Sequence, residues 1–254
     1  MKRAFLFPLI VLVLVSLACS VGGRKATETP EAAAPESTQE GAKEAQVEVT
    51  STPQPAKSFE DTFDEMKDAW SDSLLVTTQG AGGKTESAVK LLDGKMVFQF
   101  TDKETYLYKF VKQPMGADVV IESSYQAFSQ IYNGIAFVCR AKSDYSAWYE
   151  FRLSSVAKFA IYRFDQALKD EYKNPYIELA SGSADATKLY PTKPNVVKAT
   201  CKGSTLSLEV NGNSLTSVQD DALQEDGLVG LGAMSQNNLP MSIRFDYIKV
   251  SSPD

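Results

Sequence analysis

Histidine is absent from all 254 residues and cysteine occurs three times, which removes the commonest machinery for nucleophilic and metal chemistry. A Ser-His-Asp triad, a Cys-His pair, an imidazole metal ligand and a four-thiolate zinc site are all impossible in this chain. The carboxylates cluster as adjacent pairs: Glu60-Asp61, Asp64-Glu65, Asp220-Asp221 and Glu225-Asp226. Neighbours on a strand point to opposite faces, so these pairs read as turns and caps rather than as a catalytic couple. Gly80-Ala81-Gly82-Gly83-Lys84-Thr85 ends like a phosphate-binding loop. The pattern G-x-x-x-x-G-K-[ST] requires glycine at position 78, where Thr78 stands, so the segment reads as a mobile glycine loop.

One set of residues has chemistry worth following. If Val119, Ile121, Ile135, Phe137, Tyr149, Phe151, Phe159 and Ile161 point into a core, then Glu122, Arg140, Trp148, Glu150, Arg152 and Tyr162 point the other way. An exposed face mixing aromatics with charges suits a sugar, whose apolar ring faces stack while its hydroxyls take hydrogen bonds. The same pattern fits a solvated face of cross-strand ion pairs with Trp148 partly covered by a loop. Arg140, Trp148, Glu150 and Tyr162 are the candidate ligand-binding residues, forming a shallow groove. Two arginines beside it make Glu150 a poor general acid, so no catalytic residue is assigned.

The elements that must carry these residues are strands. Period-two patterning covers 95–100, 118–125, 134–140, 148–153 and 159–164. It continues through 196–201, 205–210 and 214–218, joined by Lys202-Gly203-Ser204 and the hairpin signal Asn211-Gly212, and closes with 228–233 and 241–250. Only Phe59–Trp70 and Asp165–Tyr172 have room for helical turns. The reading is an all-β, two-sheet antiparallel sandwich.

Ahead of it lie two segments of different composition. Residues 1–18 carry Lys2 and Arg3 and then an uncharged run ending at Ala18, the pattern of an export signal. The run is too short to span a bilayer. Val15-Ser16-Leu17-Ala18-Cys19 resembles a bacterial lipobox, which implies that Cys19 is acylated and is the first residue of the mature chain; an ordinary secretory signal ending in a chance cysteine is the other reading. Residues 19–57 hold no aromatic, four prolines and six glutamates, too little apolar surface to order themselves, and read as a disordered tether. Residues 58–254 form the folded domain.

The leader and tether together carry no net charge, so the domain keeps the whole excess of 32 Asp+Glu over 26 Lys+Arg. That excludes the basic surface a nucleic-acid binder needs. Cys139 shares the parity of Ile135 and Phe137, and Cys201 that of Val197 and Ala199, so both face the core. With Cys19 acylated in an exported chain an even pair remains, which predicts a Cys139–Cys201 disulfide; two buried free thiols read the same way.

The order Phe59-Glu60-Asp61-Thr62-Phe63, Gly134 to Arg140, Trp148-Tyr149-Glu150-Phe151, Leu206 to Gly212, Gly227 to Leu231 and Phe245 to Val250 resembles the concanavalin A-like jelly roll. It is most similar to the laminin G-like domains of bacterial lipoproteins. The resemblance implies a jelly-roll sandwich and an extracytoplasmic, membrane-tethered module that binds glycan or extracellular protein, without a cofactor. Glycan hydrolases of this fold carry E-x-D-x-x-E along one strand, a spacing that does not occur here. A second resemblance, to 3-keto-disaccharide hydrolases, rests on Asn133-Gly134-Ile135 and Glu150, but Arg152 and Ser155 stand where that group has glutamine and aspartate. It makes an exported glycan-acting hydrolase the alternative. Calcium is common in the wider family, with Asp61, Asp118 and Asp246 as conceivable ligands, but they do not form the convergent oxygen set calcium needs, and no metal is assigned.

Overall fold

The computed structural model describes residues 55–254 apart from 66, 78–86, 128–132, 186–188, 190–192 and 238. The leader 1–18, Cys19, the tether through residue 54 and the glycine loop Gly80–Thr85 lie outside the described residues. Among the described residues, pairing is already present before Ser58, where the Ala56 N–H donates to the Pro114 carbonyl.

In chain order the elements are β1 (Ser58–Asp61), β2 (Leu74–Thr77), β3 (Ala88–Leu91), β4 (Met96–Phe100), β5 (Thr105–Phe110), β6 (Val119–Ala127), β7 (Asn133–Ala141), β8 (Ala147–Ser154) and β9 (Lys158–Asp165). They continue with α1 (Gln166–Asp170), β10 (Tyr176–Ser183), β11 (Asn195–Lys202), β12 (Thr205–Val210), β13 (Asn213–Gln219), β14 (Leu228–Ser235) and β15 (Met241–Ser251). An eight-stranded sheet runs β13-β12-β11-β6-β15-β4-β3 with β1 beside β15, and a seven-stranded sheet runs β10-β9-β8-β7-β14-β5-β2. All the strand pairs are antiparallel.

The main core lies between the sheets and contains Val119, Ile121, Ile135, Phe137, Tyr149, Phe151 and Ile161, with Phe159 packed against it. Period-two alternation therefore assigned the inward set correctly. Cys139 on β7 and Cys201 on β11 face each other across this space and are joined by a disulfide, their Cα atoms 6.8 Å apart. The bond links one sheet to the other.

The short helix α1 falls inside 165–172, capped by the Asp165 side chain, which accepts from the Ala167 N–H. The stretch Phe59–Trp70 instead holds β1 and a set of turns. Buried Asp61 organises them, accepting from the Phe63 N–H at 3.0 Å and from Trp70 Nε1 at 2.8 Å. Five strands carried no clear alternation in the sequence. β1, β2 and β3 have four residues each. β5 buries side chains on both faces, which erases the apolar-polar pattern. β10 has an irregularity between Glu178 and Ala180 that resets its period.

Candidate functional site

The outward face of the seven-stranded sheet carries a second hydrophobic cluster that includes Tyr108, Phe110, Ala136, Val138, Trp148, Phe164 and Tyr176. Register explains its layout. Glu150 lies between Val138 on β7 and Tyr162 on β9, and Arg152 lies between Ala136 and Ala160. Next to β7, β14 presents Gly230 opposite Val138 and Gly232 opposite Ala136. A Cβ on Gly232 would come within 2.6 Å of Tyr108 Cδ1, and one on Gly230 within 2.9 Å of Phe110 Cδ1. Bare backbone on β14 thus lets the β5 rings lie over it and reach toward β8.

Their target is Glu150. The Tyr108 hydroxyl donates to Glu150 Oε2 at 2.9 Å and Trp148 Nε1 to the same oxygen at 3.0 Å, while Arg152 Nε donates to Oε1. Because the Tyr108 proton is committed to Glu150, the Tyr176 hydroxyl at 3.0 Å is the donor to Tyr108. The Arg152 guanidinium sits 3.9 Å from the Tyr176 ring centroid, 4.5 Å from Tyr162 and 4.9 Å from Tyr106. Burial alone would disfavour its charge, but Glu150 and the surrounding tyrosines outweigh that and hold it above the ordinary arginine value. Trp148 stacks on Phe164 with centroids 3.7 Å apart.

Two expectations need correction. Trp148 and Glu150 do face outward, but both are 0 % exposed, so they are not the floor of a shallow, open groove. Rings from β5, β9 and β10 cover them, and none of those neighbours is adjacent in sequence. Arg140 does not join them. On β7 the step from Val138 to Ala141 matches only the step from Gly230 to Leu228 on β14, so β7 carries one extra residue, and Arg140 has a φ of 51°. This bulge breaks the alternation: Ala141 takes the outward position in the second cluster, and Arg140 turns away. Its buried guanidinium donates to the carbonyls of Ala117, Leu223 and Gly203, each at 2.7 Å, and to Asp118 Oδ1 at 3.1 Å. Arg140 fastens three loops together, away from the face that carries Trp148 and Glu150. Only Tyr162 among the four candidates is both outward and partly open.

The accessible part of this face lies at the other end of the strands. A cleft of about 520 Å³ is bordered by Tyr106, Arg152, Lys158, Tyr162, Glu178 and Met234, with the hydroxyls of Ser154, Ser181 and Ser183. Outward parity on β8 and β9 was the signal for Arg152 and Tyr162. Tyr106 and Glu178 carried none, because they sit on strands whose period was unreadable. Asp61, Asp118 and Asp246 are each engaged separately: with Trp70, with Arg140 and the Gly203 N–H, and with Ser124 and Lys95. Among the described residues no three of the His, Cys, Asp or Glu side chains come together as metal ligands.

The tyrosines of the network make its integrity measurable. Burial is the main cause of raised hydroxyl pKa values at Tyr108, Tyr162 and Tyr176, and the Glu150 charge adds to it; burial and the hydrogen bond to Asp220 push Tyr149 up to about 12. A value raised above the unfolded one, about 10, means stability that is full below that pH and lost as pH rises through the folded values. Tyrosinate absorbance is therefore expected to appear late, together with loss of circular dichroism, above about pH 10. Complete titration of the tyrosines near pH 10 in a still-folded protein would contradict the network.

Comparison with solved structures now places the architecture. A Bacillus licheniformis beta-glucanase superposes with a TM-score of 0.57 and 10% identity, over 79% of this chain and 100% of that one. The carbohydrate-binding module CBM66 from Bacillus subtilis gives 0.51 and 12% identity, over 70% and 95%. The lectin I-B4 from Griffonia simplicifolia gives 0.50 and 12% identity, over 78% and 100%. The fold is the concanavalin A-like jelly roll. No protein-family model and no curated protein sequence matches the chain. At such low identity the likeness speaks for architecture alone.

Proposed function

We propose that the domain is a non-catalytic glycan-binding module on an exported, lipid-anchored chain of a bacterial cell envelope. The observation that carries this reading is the cleft on the outward face of the seven-stranded sheet. It combines the rings of Tyr106 and Tyr162 with the charged Arg152, Lys158 and Glu178 and three serine hydroxyls. Rings offer stacking surface to a sugar, and the polar groups offer partners to its hydroxyls. Two of the structural neighbours, a carbohydrate-binding module and a lectin, are named for such binding, which supports the same reading.

Binding is favoured over hydrolysis by the state of Glu150. A glycosidase needs two carboxylates flanking the scissile bond, free to exchange protons or attack. Glu150 is fully buried and accepts from Trp148, Tyr108 and Arg152, so a substrate oxygen has no route to it. Glu178, the other outward carboxylate near the cleft, then has no partner for the reaction. The hydrolase alternative draws support from the glucanase neighbour and from the resemblance carried by Asn133-Gly134-Ile135 and Glu150.

Calorimetric titration with a panel of soluble glycans, with reducing ends assayed in parallel, tests the reading. At least one glycan is expected to bind without release of reducing ends, and Tyr162→Ala is expected to weaken it about tenfold, the ordinary effect of truncating a contact aromatic. Trp148→Ala is unsuitable here, because Trp148 is buried. Binding equal in Tyr162→Ala and the parent, or none in either, would overturn the proposal; glycan cleavage would transfer it to the alternative. Cys19→Ala is expected to move the protein out of the membrane fraction, since a multiply acylated cysteine is a stable anchor. Retention of the variant in that fraction would refute the anchor.

A further inference from the structure

Building on the glycan-binding reading, we propose that the cleft selects an acidic saccharide, with a uronic acid carboxylate seated against Arg152 and Lys158. The hydrogen bond Arg152 makes runs from Nε to Glu150, and its Nη2 is buried without an acceptor. Three tyrosine rings within 4.9 Å hold the guanidinium in place, so it cannot swing away to find a carbonyl elsewhere. Ring faces attract the cation but leave Nη2 without an oxygen, and a planar carboxylate is the group that satisfies a guanidinium edge.

Position adds a second cation. Arg152 is paired with Ala160, and Lys158 lies two residues from Ala160 on the same face of β9, which sets the two charges diagonally across neighbouring strands. Such diagonal positions are about 7–8 Å apart at the backbone, within the reach of long side chains converging on one group. Both residues line the cleft. Glu178 is the single carboxylate among the lining residues described, and it accepts a hydrogen bond from the Ser181 hydroxyl at 2.6 Å. Glu150 already compensates the Arg152 charge from beneath, but among the described residues no carboxylate pairs with Lys158, so its ammonium is the uncompensated charge a saccharide acid would meet.

The test uses the mature protein and three probes: oligogalacturonate, its methyl-esterified form and a sulfated oligosaccharide of similar length. Oligogalacturonate is expected to bind, with the ester weaker by about tenfold, the worth of a charge-assisted pair of hydrogen bonds. Lys158→Gln is expected to weaken binding about three- to fivefold and Glu178→Gln to tighten it by a similar factor. Both side chains are exposed and neither is bonded to Glu150 or Arg152, so the variants should keep the fold. Equal binding of acid and ester overturns the charge proposal while glycan binding stands. Preference for the sulfated probe overturns the uronate assignment. Binding of no saccharide removes both readings.

Discussion

Glu150→Ala is expected to lower unfolding stability by about 3–5 kcal/mol, because it strands a buried cation. Arg152 would remain in its tyrosine cage, its side chain 14 % exposed, without the one carboxylate that compensates it. Trp148 Nε1 would lose its acceptor at the same time, as would the hydroxyl of Tyr108. The double variant Glu150→Leu with Arg152→Met should recover most of the loss, since a well-packed apolar replacement for a buried ion pair is near neutral. Urea unfolding of the parent, the single and the double variant measures this directly. A single variant within about 1 kcal/mol of the parent would show that Glu150 is not the anchor of the outer face.

Removing the disulfide comes next in size. Cys139→Ala with Cys201→Ala is expected to cost about 4 kcal/mol, from the loop entropy released when a link across a sequence separation of 62 is lost. The effect acts on the unfolded chain, so the folded variant should keep its circular dichroism while its denaturation midpoint falls. Intact-mass analysis supplies the covalent check: without reduction, neither Cys139 nor Cys201 should be alkylated. Alkylation of both would mean that the pair is two buried thiols. A persistent disulfide also accords with the exported location proposed above, because cytosolic reductants would open it.

Parity along strands is a local property, and where a strand is regular it can be read without a fold. That is why Ile135, Phe137, Tyr149, Phe151 and Ile161 were separable from Trp148, Glu150, Arg152 and Tyr162 in advance. The same reasoning failed at Arg140, where one extra residue on β7 moves every later side chain to the other face. Nothing in Val138-Cys139-Arg140-Ala141 marks that bulge, because it depends on how β14 is hydrogen-bonded opposite. The site was half legible for a related reason. Tyr162 and Arg152 follow from alternation on β8 and β9. Tyr106 lies on a strand apolar on both faces, and Glu178 stands at the irregularity in β10.

By itself, then, the sequence determined the class of the fold, the division of side chains between inner and outer faces where strands are regular, and the inward direction of Cys139 and Cys201. Tertiary structure alone decided depth. Trp148 and Glu150 are outward but buried because β5 brings Tyr108 and Phe110 across the bare backbone of Gly230 and Gly232, while Phe164 and Tyr176 close from the other side. Alternation says which way a side chain points, but exposure depends on what distant strands lay over it, and that is settled only when the sheet assembles.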